Sequence, residues 1–121
     1  MSLQAYTRMD RGVAVIELDG KITLGEGSGL LRDTVNQAIS DGHKNILLDL
    51  EGVSYIDSAG LGELVGCNSF AKAHGAIIRL VHLQKKIQGL LQITKLITIF
   101  DTFDDEDVAV RSFQRVNSAQ T

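Results

Sequence analysis

The chain has 121 residues, 44% of them hydrophobic and 22% charged, with a formal charge of −3 and neither proline nor tryptophan. A chain of this length folds most simply as one domain that buries roughly two thirds of its unfolded surface, and its composition excludes a disordered or fibrous protein. The acidic balance excludes nucleic acid as the main partner, because duplex binding relies on clustered cations and the longest basic run here is Lys85-Lys86.

In chain order, Leu3 to Thr7 and Val13 to Leu18 predict two strands around the turn Asp10-Arg11-Gly12, an antiparallel opening, and Asp19-Gly20 predicts a further tight turn. Met1-Ser2-Leu3 is assigned no role. Gly25-Glu26-Gly27-Ser28-Gly29 reads as a flexible loop, its acidic residue unsuited to holding phosphate. From Ser28 the period becomes helical, with Leu31, Val35, Ala38 and Ile39 on one stripe and Gly42 as C-terminal cap. Residues 45–50, NILLDL, form too continuous an apolar run for a one-faced strand and predict a central one. A helix from Ser58 to His74 turns Leu61, Leu64, Val65, Cys67 and Ala71 inward and ends at Gly75. AIIRLVH, residues 76–82, predicts another interior strand. A helix over 84–94 then presents Ile87, Leu90, Leu91 and Thr94, and LITIF, residues 96–100, predicts a short last strand. Thr102-Phe103-Asp104-Asp105 has capping-box form before a final helix with Ala109, Phe113 and Val116 inward, and residues 115–121 are expected to fray. The acidic stretch from Asp101 to Asp107 reads as a solvated helix start. This order predicts one α/β domain with a mixed sheet and helical crossovers.

Cys67 is the only cysteine and has no Cys or His at metal-ligand spacing, so neither an internal disulfide nor a metal site is expected, and a reducing cytoplasm fits. The first residues lack the apolar core of a signal peptide, and no apolar run approaches the ~18 residues of a membrane span, so direct membrane insertion is not expected.

The stretch YIDSAGLG, residues 55–62, sets one serine between an aspartate and two glycines where a strand gives way to a helix. As a nucleophile, Ser58 fails the G-x-S-x-G pattern, because Ile56 replaces the first glycine. Nor does the sequence bring His43, His74 or His82 to it as a base; these read as ordinary surface or loop histidines, and no catalytic residue is assigned. As a phosphate loop, Gly60, Gly62 and Gly66 miss the dinucleotide fingerprint by one residue and lack the P-loop ending, so no cofactor is expected. The third reading makes Ser58 a site of modification. Asp57 is suited to cap the helix by accepting from the N–H of Ala59 or Gly60, leaving the Ser58 hydroxyl in the first turn facing solvent. A phosphate there meets unsatisfied N–H groups and the positive end of the helix dipole, so the fold tolerates it, while its charge opposes a docked partner. Physics alone leaves the plain alternative open, since Asp-Ser is a common way to begin a helix.

The segment LDLEGVSYIDSAGLGEL closely resembles the signature of the STAS domain, the fold of bacterial anti-sigma factor antagonists. The likeness extends over roughly residues 4–114, from the opening strand pair through the D-G-K-I segment to ITIFDTFDDEDVAVRSF. In that family a serine just after the motif's aspartate is phosphorylated by a partner kinase that is itself the anti-sigma factor, and a phosphatase reverses the step. The matching residue is Ser58. The resemblance implies partner switching, in which unmodified protein binds the anti-sigma serine kinase and frees a sigma factor. It also implies a docking surface of Asp57, Ser58, Ala59, Gly60, Leu61 and Gly62, with Glu26 in the neighbouring loop. Gly60 and Gly62 are expected to permit close approach of the helix start, and Leu61 to be either core or contact. Ala59 departs from the family's frequent second hydroxyl, leaving one acceptor. The alternative implied function is a non-switching interaction module of a transporter complex or stress-signalling scaffold.

Overall fold

The structure is a computed structural model that describes residues 3–119, with side chains to residue 114. The hairpin opens as expected: β1 (Leu3–Asp10) and β2 (Val13–Ile22) pair antiparallel around Arg11 and Gly12, both at positive φ (50° and 83°), a backbone that suits the twist of a two-residue hairpin. Leu3 is not idle; its side chain is buried in the core, while Met1 and Ser2 lie outside the described residues. Asp19-Gly20 makes no turn. Both residues lie within β2, where the register against the next strand shifts twice and Gly20 sits at φ 123°, so the glycine serves a strand irregularity.

Helix α1 (Glu26–Ser40) begins inside the stretch expected to be a flexible loop. Gly27 is buried in its first turn, where a Cβ would lie 2.6 Å from the Lys21 carbonyl oxygen. The central strand β3 (Asn45–Ile56) runs six residues past its apolar run, and α2 (Ser58–Ala73) follows at once. Then come β4 (Ile77–Val81) and α3 (Lys85–Ile93). LITIF is not a strand: Lys95 turns left-handed, Leu96–Thr98 form a single 3-10 turn, and the last strand, β5, is only Thr102–Phe103. Thr102 therefore cannot cap α4 (Glu106–Ala119). That role falls to Asp105, whose Oδ2 accepts the Val108 N–H at 3.0 Å. The helix continues into the segment expected to fray; the side chain of Val116, and all of residues 120–121, lie outside the described residues.

The sheet has the order β1-β2-β3-β4-β5, antiparallel only at its first pair. Side chains alternate across it, so Ile46, Leu48 and Leu50 of β3 join the large core beneath α1, α2 and α3. Leu47 points the other way and packs with Val13, Val15 and Val81 against Ala109, Val110 and Phe113 of α4. Two ion pairs clasp α4 to the hairpin, Arg8 with Glu106 and Arg11 with Asp107 (2.6 Å). Beyond α4, the same sheet face turns acidic, with Glu17 and Asp19 on β2 and Asp49 and Glu51 on β3 lining one shallow depression. None of the described helices is long and apolar enough to cross a membrane.

Candidate functional site

Three chain segments meet where β3 ends. Asp57 leaves the strand in an extended conformation (φ −93°, ψ −177°) and becomes the N-cap of α2, its Oδ1 accepting the Gly60 N–H at 2.8 Å. Oδ2 accepts the Leu24 N–H at 3.0 Å, which ties the segment ahead of α1 to the start of α2. The Asp57 N–H donates to the Ile22 carbonyl at 3.2 Å, and the Ser28 N–H donates to Thr23 at 2.9 Å. Gly60 completes the closure. A Cβ on it would run into the Ile22 carbonyl oxygen and come within 2.9 Å of Ile56 Cγ2.

Because the cap occupies Asp57, Ser58 is left exposed in the first turn, and its hydroxyl bonds to none of the described residues. Leu24, bonded to Asp57, is 79% exposed, and Tyr55, in the same depression as Ser58, is 51% exposed. A depression of about 540 Å³ runs from Tyr55 and Ser58 past half-buried Leu61 to Lys86 and Leu90 of α3. Leu61 thus divides between its two expected roles, packing on the edge of the large core and lining the depression.

The Leu24 bond seats the segment before Glu26 beside Asp57, and Glu26 itself is exposed. Ala59 is half-buried. Gly62 corrects one expectation: open space surrounds it, so close packing rests on Gly60 alone. Leu24, Tyr55 and Lys86 were missed, because nothing local marks a loop leucine or a strand tyrosine as neighbours of a serine. No histidine bonds the Ser58 hydroxyl among the described residues; His74 Nδ1 lies 2.8 Å from the Phe70 carbonyl and His82 meets Asp49. Cys67 is buried on the inward face of α2, and desolvation pushes its thiol up to about 12, leaving it inert.

The two backbone donors, Gly60 first and then Leu24, hold the Asp57 carboxyl below the usual carboxylate range. A depressed pKa in the folded state stabilises the fold above the unfolded pKa, and that contribution is lost as pH falls through the folded value. Asp57→Ala therefore lowers the melting temperature at pH 7, and the gap to wild type narrows as pH is taken below 4. Thermal unfolding from pH 7 to 3 checks this; a gap that stays constant or widens would show that charge at Asp57 contributes nothing.

The STAS domain family model matches residues 4–109. The anti-sigma F factor antagonist of Paenibacillus polymyxa is 25% identical over 118 residues, covering 97% of this chain and all of its own. Among solved structures, an anti-sigma factor antagonist from Mycobacterium paratuberculosis superposes with a TM-score of 0.80 at 18% identity, over 91% of this chain and 92% of that one. The phosphorylated form of the Bacillus cell fate determinant SpoIIAA gives 0.69 at 21% identity, over 91% and 99%. At these identities the structural likenesses establish a shared fold.

Proposed function

This chain belongs to the STAS domain family, and from that premise we propose that it is an anti-sigma factor antagonist whose binding to an anti-sigma serine kinase is controlled by phosphorylation of Ser58. The observation that carries the proposal is the exposed Ser58 hydroxyl at the start of α2, with Asp57 already engaged as cap, Tyr55 in the same depression and exposed Leu24 bonded to Asp57. Asp57, Ala59, Leu61 and Gly62, with Glu26 alongside, form the docking surface, while Gly60, expected on it from the sequence, is buried against Ile22 and supports it from beneath. That surface offers a partner apolar contact around one hydroxyl.

Phosphate on that hydroxyl adds about −1.5 to −2 charges beside the Asp57 carboxylate. The helix N-terminus tolerates it, contributing roughly 0.3–1 kcal/mol at an exposed position. A docked partner does not, because the charge would have to be desolvated against Leu24 and Tyr55. A hundredfold loss of affinity corresponds to about 2.8 kcal/mol, a reasonable penalty for one misplaced, partly desolvated phosphate. The kinase then lets go and recaptures its sigma factor, and a serine phosphatase resets the cycle.

The test is to incubate the purified protein with the histidine-kinase-like serine kinases of its own organism, with Ser58→Ala as control. Label on wild type and none on Ser58→Ala is expected, together with about a hundredfold weaker capture of the kinase after modification. If no such kinase binds or labels the protein, the switch is wrong and the chain is a non-switching interaction module. Stable complexes with transporters or signalling scaffolds then become the place to look.

A further inference from the structure

The acidic end of the second sheet face holds a cluster unrelated to Ser58. Along β3, Leu47 lies under α4, Asp49 follows on the same face with only 7% exposure, and Glu51 comes next with its side chain 79% exposed. On the neighbouring strand the register sets Val81 opposite Asp49, and His82 follows immediately. His82 Nδ1 lies 3.1 Å from Asp49 Oδ1 and 3.9 Å from Glu51 Oε1, and ligand atoms of all three residues fall within 4.8 Å of one another.

We propose that Asp49, Glu51 and His82 bind a divalent first-row transition cation of the Zn²⁺ type. Donors about 2.1 Å from a tetrahedral ion stand roughly 3.4 Å apart, and the two measured separations bracket that value. Asp49 accepts the Glu51 N–H and faces the His82 ring with Oδ1 alone, while its solvent-accessible Oδ2 accepts no hydrogen bond among the described residues and is free for an ion. Glu17 and Asp19 line the depression with Asp49 and Glu51, and none of the residues lining it is basic. One imidazole with two carboxylates suits a borderline ion such as Zn²⁺ better than Ca²⁺ or Mg²⁺, which prefer all-oxygen shells. The ion would clip the middle of β3 to the residue after β4.

The proposal is tested by titrating Zn²⁺ alone into the untagged full chain by calorimetry, beside three variants. His82→Asn suits this position because asparagine tolerates the left-handed backbone found there (φ 61°). Glu51→Gln changes an exposed side chain, and His74→Ala removes a histidine outside the cluster. One saturable equivalent is expected on wild type and His74→Ala, weakened at least tenfold in His82→Asn and Glu51→Gln. Zn²⁺ is also expected to shift the backbone amide resonances of residues 49, 51 and 82. No saturable binding, or binding that survives His82→Asn and disappears in His74→Ala, overturns the assignment. Asp49 and His82 would then form a simple hydrogen-bonded pair.

Discussion

Replacing Gly60 by alanine is expected to destabilise the fold by about 3 kcal/mol, while the same change two residues on, at Gly62, is neutral or stabilising. Both glycines lie in the first turns of α2, where alanine is the better helix former by roughly 1 kcal/mol. At Gly62 open space surrounds the new methyl, so propensity decides the sign. At Gly60 the methyl is driven into the Ile22 carbonyl oxygen and the Ile56 side chain. One obstacle is backbone in the closing residue of a central strand, which cannot rotate aside, and overpacking of this kind costs about 1–3 kcal/mol or more. Urea unfolding of the two variants followed by circular dichroism separates the cases. Equal midpoints for both would mean that the close approach of α2 to β2 carries no energetic weight.

The second large effect is expected at Phe113. Its ring is fully buried in the small second core, with the Arg79 guanidinium 4.9 Å from its centroid. Phe113→Ala is expected to destabilise the protein by about 3–5 kcal/mol, the usual range for emptying a buried aromatic site. Among the described residues of α4, Ala109 and Val110 join it in the fully buried part of that core. The ion pairs of Arg8 and Arg11 do not compensate, because exposed pairs contribute about 0–1 kcal/mol each. Hydrogen exchange distinguishes the mechanism: α4 amides lose protection in the variant while those of β3 keep theirs. Uniform loss across the chain would show instead that the two cores unfold as one.

What the sequence disclosed and what it concealed divide along a physical line. Interactions that close within a few residues were legible: the hairpin at Arg11-Gly12, the stripe of Leu31, Val35 and Ala38, and the Asp57 cap that leaves Ser58 outward. The misread elements are those where a distant neighbour overrides local preference. Asp19-Gly20 has turn composition, yet pairing with Gly52 and Val53 keeps it in the sheet. LITIF has strand composition, but a left-handed Lys95 curls its first residues into a 3-10 turn, leaving the open edge of β4 to Thr102 and Phe103. Glu26 starts a helix inside a glycine cluster because Gly27 fits over the Lys21 carbonyl, a contact across β2. At the site the same rule holds, since Leu24 reaches Asp57 over 33 residues and Asp49 reaches His82 over another 33. Neither pairing has any local signature.

The stitching around Ile22 has a bearing on how a signal could pass through this protein. The end of β2, the entry to α1 and the cap of α2 are joined by backbone bonds and by a glycine with no room to spare, so the region beneath Ser58 is tied at several points. Under the proposed switch, information is written and read on the same few square ångströms of surface, with no hinge between input and output. Such a device has no relaxation time of its own. Its response is set by how fast the modifying enzymes work and how fast the bound partner departs, and once the phosphate is removed the molecule keeps no record of having carried it.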